Sequence, residues 1–180
     1  MSRPGTVGRA LAANEIRLLD DAGREAAPGE VGELYARNSM MITGYHRNAE
    51  ATSASVRDGL FSVGDLARRD ADGYYYLESR KHDMVISGGV NIYPREIEDL
   101  LLTHPAILDA AVIGVPDPEW GQRMVAVVVG TGDTAEIREW VKDRLRSSKT
   151  PDEIVFRDEL PRTDNGKLLR RVLRAELETA

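Results

Sequence analysis

The way apolar runs and turn signals alternate changes near residue 80, and no other feature restricts the fold as strongly. Before that point the runs are short and each is closed by a turn. Ile16, Leu18 and Leu19 lead into Asp20-Asp21-Ala22-Gly23, and Pro28-Gly29 precedes a run from Val31 to Arg37. Asp70-Ala71-Asp72-Gly73 separates Phe61–Arg68 from Tyr74–Leu77, which predicts a hairpin. This part reads as antiparallel strands forming an incomplete barrel. Beyond it, strand and helix periods mix. Pro94 opens a predicted helix with Ile97, Leu100 and Leu101 on one face, ended by His104-Pro105. Ala110–Val115 and Val125–Val129 read as buried strands. Asp133, with Glu136 following it, caps a helix whose apolar stripe is Ile137, Trp140, Val141 and Leu145. Ile154–Phe156 is a short strand, and a basic helix starts at about Lys167. The fold class is therefore α+β. A small antiparallel β-barrel-like subdomain occupies residues 1–80, and an α+β domain with a small sheet and about three helices occupies 81–180. The boundary is expected near Ser79 to Asp83.

Composition narrows the function classes. The chain has 180 residues and no cysteine, which excludes a disulfide framework, a thiolate metal site and a Cys nucleophile. His46, His82 and His104 are scattered without the spacing of a zinc site. The formal net charge of −6 argues against a duplex nucleic-acid binder, which would show a dominant basic face. The longest apolar runs are too short for a transmembrane segment, and the amino terminus has no charged-then-apolar leader. The expected location is cytoplasmic. No Gly-x-Ser-x-Gly elbow and no Gly-Lys-Ser/Thr phosphate loop is present.

Three stretches could carry chemistry. In Arg80 to Glu98 a charged cluster leads into a short apolar strand. Gly88-Gly89 follows, a pair whose backbone reaches conformations that side chains block, and then the helix started by Pro94. By itself this also reads as a tight strand-to-helix connection with solvated charges. In Phe61 to Leu66, Asp65 follows Gly64 at a strand edge, where a carboxylate can accept two hydrogen bonds from a diol such as ribose. It equally reads as a turn aspartate bonded to its own backbone. In Pro161 to Lys167, Asn165-Gly166 places Lys167 on a loop before a helix, where a cation can offset developing negative charge. The plain alternative is a solvated lysine, with Arg170, Arg171 and Arg174 as the solvated face of the helix.

Taken in order, these stretches resemble the adenylate-forming superfamily, and the acyl-CoA synthetases in particular. Gly32-Glu33-Leu34, Gly44-Tyr45 and Glu50-Ala51-Thr52 are similar to the family's "GEL…GY…EAT" segment. Asp58-Gly59-Leu60-Phe61 through Gly64-Asp65 is similar to "DGWFxTGD", and residues 80–98 to the hinge and glycine loop. Ile113 to Asp117 with Trp120-Gly121 is similar to "GxPDxxWG", and residues 161–167 to "PRTxxGK".

The resemblance implies a fatty-acyl-CoA synthetase, a ligase joining a long- or medium-chain carboxylic acid to CoA with ATP and Mg2+ through an acyl-adenylate. It implies that Asp65 binds the ATP ribose hydroxyls with help from Arg80. Lys167 would bridge carboxylate and α-phosphate, and His82 would be the hinge. Gly88 and Gly89 would approach the pantetheine of CoA. Trp120 would face the CoA nucleotide or, equally, sit in the core. The sequence departs from the family at His82, where Asp or Lys is usual, at Val63 for Thr and at Ser79 for Gly. Ser147-Ser148-Lys149 lacks a neighbouring aromatic. The family's phosphate loop and its magnesium-binding Glu have no counterpart in these residues, so no metal ligand is assigned. Residues 1–80 thus resemble the end of an N-terminal adenylation domain whose remainder would be the chain's partner, and the 180 residues alone are expected to be inactive. Two other readings stay open. One is a stand-alone binding or regulatory module of the same fold, and the other is part of a carrier-protein-loading adenylation domain.

Overall fold

The computed structural model describes residues 3–179. The chain divides into two compact units, Met1–His82 and Asp83–Ala180.

The first unit is a curled antiparallel half-barrel. Its strands are β1 (Glu15–Leu19), β2 (Val31–Arg37), β3 (Val56–Arg57), β4 (Leu60–Arg69) and β5 (Tyr75–Arg80). They are ordered β1-β2-β4-β3, with β5 also paired to β4. Register shifts between Glu33 and Tyr35 and between Leu66 and Ala67 bend the ladder, as bulges do. Leu18 packs with Ala67 and Tyr75, whereas its neighbour Leu19 packs with Tyr35 and Leu60. Successive strand residues face opposite ways, so both faces of this sheet bury apolar groups. Gly32 permits the close approach of β1 and β2, because a Cβ there would lie 2.9 Å from the Leu18 backbone. The turns after β1 and β4 share one device: Asp20 accepts from the Arg24 N–H at 2.8 Å, and Asp70 from the Tyr74 N–H at 2.9 Å. Helix α1 (Ala49–Ser55) interrupts the strands and has no signature in the sequence pattern. None of its residues is buried, so it carries no apolar period, and it starts on the side chain of Asn48, which accepts from the Ala51 N–H.

The second unit is built on the sheet β10-β9-β8. Strand β8 (Ile107–Asp117) pairs antiparallel with β9 (Gly121–Gly130), and β10 (Glu153–Arg157) runs parallel to β9. Alternate residues of β8 and β9 feed two cores. Ala110, Val112, Met124, Ala126 and Val128 join Ile97 and Leu101 of α2 (Pro94–Leu101) and Ile137 and Val141 of α3 (Thr134–Lys142). Ala111, Ile113, Val115, Val125 and Val127 join Leu173 and Leu177 of α4 (Arg170–Glu178). Burial on both faces explains why these strands read as continuous apolar runs rather than alternating ones. Each fully buried side chain of this kind contributes about 1.5–3 kcal/mol over its exposed state.

Asp133 caps α3 as expected, accepting from the N–H groups of Ala135 and Glu136 at 2.9 and 3.0 Å. The helix ends at Lys142, so Leu145 lies beyond it, although it still packs against the core. The connection at Gly88-Gly89 is a hairpin between β6 (Val85–Ser87) and β7 (Val90–Ile92) rather than a direct strand-to-helix link. Helix α4 starts at Arg170, three residues beyond the expected start at about Lys167. The backbone of Lys167 is already engaged in a turn, and the Leu169 N–H donates to the Pro161 carbonyl at 2.8 Å.

Candidate functional site

In the first unit the end of the β4–β5 hairpin brings Asp65 and Arg80 opposite each other in register. The Arg80 Nε forms an ion pair with Asp65 Oδ1 at 2.8 Å, and its Nη1 donates to the Val63 carbonyl at 3.0 Å. Asp65 occupies a strand position, so the turn-aspartate reading is set aside. Behind it lies a polar array. Ser62, buried in β4, accepts from the Gly64 N–H at 3.0 Å and donates to Glu33 Oε1 at 2.6 Å. Lys81 Nζ donates to Glu33 Oε2 at 3.0 Å and to Asp21 Oδ1 at 2.9 Å. The hydrogen bond to Asp21, supported by Glu33, raises the Lys81 pKa above its ordinary 10.5 against the opposing effect of burial. Sequence reading named Glu33 only as part of a motif and assigned no role to Ser62 or Lys81, because their coupling joins β2, β4 and the turn after β5, which are distant in sequence. His82 follows in a single 3-10 turn, Lys81–Asp83, at the boundary between the units.

In the second unit Gly88 and Gly89 occupy the two central positions of the β6–β7 turn, with φ of 55° and 79°. A two-residue hairpin of this type needs positive φ at both positions, which glycine reaches without a steric penalty. The Gly88 N–H donates to the Trp120 carbonyl at 3.0 Å. The Trp120 ring covers the turn so closely that a Cβ on Gly88 would lie 3.0 Å from it. Trp120 is 55% exposed, which excludes the core alternative. Beside this turn is a cavity of about 220 Å³, lined among others by Val90, Trp120, Ser147, Thr150 and Asp152. The Thr150 Oγ1 is buried and has no hydrogen-bond partner among the described residues. The Ser147–Lys149 turn on this wall is held by the ion pair of Lys149 with Glu96.

Lys167 is exposed on a closed loop. The Thr163 N–H donates to the Lys167 carbonyl at 2.9 Å and the Gly166 N–H to the Thr163 carbonyl at 2.8 Å. Arg162 stiffens the loop by donating to the Gly166 carbonyl at 2.9 Å and to Asp109 Oδ2 at 2.7 Å. Arg170 is not on a solvated face: it is largely buried and forms a bidentate pair with Glu98 at 2.6 and 2.8 Å. A readable signal existed, since Glu98 falls within the apolar stripe of α2 beside Ile97 and Leu101, where a carboxylate requires a buried partner.

The second unit therefore carries its two candidate segments on opposite sides of one sheet. The β6–β7 hairpin packs through Val85 and Ile92 into one core, and the helix after Lys167 packs through Leu173 and Leu177 into the other. Among the described residues no group of His, Asp or Glu forms a cluster able to hold a metal ion, and no helix is long and apolar enough to cross a membrane.

Residues 96–167 match the AMP-binding enzyme C-terminal domain, and residues 1–46 match the AMP-binding enzyme family. The chain is 40% identical over 170 residues to an indoleacetate–CoA ligase of Aromatoleum aromaticum, covering 92% of this chain and 33% of that protein. It is 38% identical over 179 residues to the medium/long-chain-fatty-acid–CoA ligase FadD8 of Mycobacterium tuberculosis, covering 93% of this chain and 31% of that protein. The crystal structure of ATP-bound MatB from Rhodopseudomonas palustris superposes with a TM-score of 0.92 at 36% identity, covering 97% of this chain and 36% of that one. The chain thus spans about a third of the length of the relatives it matches.

Proposed function

Because the chain carries AMP-binding enzyme domains and its relatives are acid–CoA ligases, we propose that it is the carboxyl-terminal part of an adenylate-forming acid–CoA ligase. The observation that carries this reading is the placement of the Lys167 loop and the Gly88–Gly89 hairpin on opposite faces of one sheet. One rigid body of this design can present either segment to a shared site, one for each half-reaction.

In the first half-reaction a carboxylate oxygen attacks the α-phosphorus of ATP and pyrophosphate leaves. Asp65 accepts hydrogen bonds from the ribose hydroxyls, and Arg80 orients that carboxylate. Val63 offers no hydroxyl here. Lys167 Nζ donates to the carboxylate and the α-phosphate, offsetting charge where two anions meet. In the second half-reaction the thiol of CoA attacks the acyl carbonyl and AMP leaves. His82 serves as the hinge between the two. The side-chain-free backbone at Gly88 and Gly89 admits the pantetheine arm, and Trp120 faces the nucleotide end of CoA. Magnesium accompanies ATP in this chemistry, but no side-chain cluster among the described residues fits it, so no step is assigned to it.

The acid is a hydrophobic carboxylate. A medium- or long-chain fatty acid is the narrower reading, supported by the fatty-acid–CoA ligase among the relatives, while the indoleacetate ligase marks an aryl acid as its competitor. The deciding experiment uses the longer ligase that contains this chain. Acid-dependent ATP–pyrophosphate exchange should fall about 10²–10³-fold in Lys167→Ala, the usual cost of losing one charge-stabilising donor. Transfer from preformed acyl-adenylate to CoA should stay within about threefold of wild type. Unchanged exchange in Lys167→Ala would overturn the assignment, and transfer only to a phosphopantetheinyl carrier would redirect it.

A further inference from the structure

Strand β8 is an edge strand, because the sheet order is β10-β9-β8. An open edge leaves backbone groups that need partners. At Val112 those partners come from an ion pair rather than another strand. The Val112 N–H donates to Glu98 Oε1 at 2.7 Å, and the Val112 carbonyl accepts from Arg170 Nη1 at 3.1 Å. The pair straddles the edge: Arg170 meets Glu98 through both Nη atoms, and its Nε lies 3.5 Å from Asp83 Oδ2. Side-chain exposures of 20% for Arg170 and 11% for Glu98 make this a desolvated contact. Burial alone would lower the Arg170 pKa; the hydrogen bonds and charge of Glu98, with Asp83, outweigh it and raise it.

The location gives the pair its interest. Arg170 is the first residue of α4 and follows Lys167 after only Leu168 and Leu169. The other root of the same loop is Arg162, pinned to Asp109, also on β8. Glu98 belongs to α2, the helix that follows the Gly88–Gly89 hairpin.

We propose that Glu98 and Arg170 are positioning residues for Lys167, a clamp that fixes the inner root of its loop to the edge of β8 and to α2. The functional side of this claim rests on the ligase reading above. The planar guanidinium suits the task, because a bidentate fork fixes orientation as well as distance. A lysine displaced by about 1 Å from its reacting partners can cost about 10²-fold in rate.

Two measurements on Glu98→Gln test it. The first needs no activity: backbone 15N order parameters of the 180-residue chain. Residues 163–168 should fall from about 0.85 to below about 0.6, values that separate rigid from flexible backbone, while Val125–Val128 stay unchanged. A lowered melting temperature with an unchanged loop would mean a merely structural pair and would overturn the proposal. The second uses the longer ligase. Adenylate formation should drop about 10²-fold with transfer of preformed adenylate to CoA within about threefold. Equal losses in both steps would overturn it. If Glu98→Gln fails to fold, Arg170→Lys, which keeps the charge but loses the bidentate fork, should mobilise the same loop, and an ordered loop there would overturn the clamp. A wild-type ligase without acid-dependent exchange would sink the function proposed above, leaving the order parameters to decide the clamp.

Discussion

Gly88 is where a single atom decides most. Its φ of 55° and the 3.0 Å gap between a hypothetical Cβ and the Trp120 ring are separate obstacles to any side chain. Gly88→Val should destabilise the second unit by about 1–3 kcal/mol, the cost of a residue held in left-handed backbone, read from thermal unfolding. Adding Trp120→Ala removes the ring but not the backbone strain, so the double variant should recover only part of the loss. Full recovery would show that the backbone geometry is unimportant. Asp65 and Arg80 illustrate the opposite situation, a pair whose geometry is set by strand register and whose removal tests the proposed function rather than the fold. Asp65→Asn in the longer ligase should raise the KM for ATP and leave the fold intact, checked by steady-state kinetics alongside circular dichroism.

The first strand and the turns of the half-barrel depend on ionised carboxylates. Glu15 is held below its ordinary 4.5 by hydrogen bonds from Arg37 and Arg17. Asp20 and Asp70 are held below 3.8, first by the backbone N–H groups of Arg24 and Tyr74. Groups whose pKa falls on folding stabilise the fold above their unfolded values and lose that contribution as pH drops through the folded ones. The first unit should therefore lose stability progressively below about pH 4.5. Lys81 works in the other direction: its raised pKa stabilises below 10.5, and the gain is lost as pH rises through the folded value. Trp120 and Trp140 both lie in the other unit, so an acid loss of far-ultraviolet circular dichroism with unchanged tryptophan fluorescence assigns the response to the first unit. Asp70→Asn should flatten part of the acid response, and an unaltered response would remove the turn from the account. In the second unit the two-sided sheet dominates. Ile113→Ala, at a position 1% exposed, should cost about 2–5 kcal/mol in chemical denaturation followed by tryptophan fluorescence.

For the molecule as a whole, the chain covers about a third of its relatives' length, and catalysis needs both substrates held in reacting geometry. Acyl-CoA formation by the 180 residues alone should stay at background in a thioester assay, and turnover would overturn the proposed division of labour. Sequence alone determined the elements whose causes are local. The Asp-x-x-Gly turns, the cap at Asp133, the Pro94 helix start and the buried runs of β8 and β9 depend on neighbours a few residues away, so composition and spacing reveal them. The order of motifs likewise pointed to the adenylate-forming relatives. Tertiary structure decided the rest. Helix α1 has no buried face to announce it. Arg170 reads as one solvated arginine among three until Glu98, 72 positions earlier, is folded against it. Trp120 is apolar enough for a core but is placed over a glycine turn by the β8–β9 hairpin. Whether a charge is paired or an aromatic is buried depends on which distant residues share its surroundings, and that is settled only when the sheet brings them together.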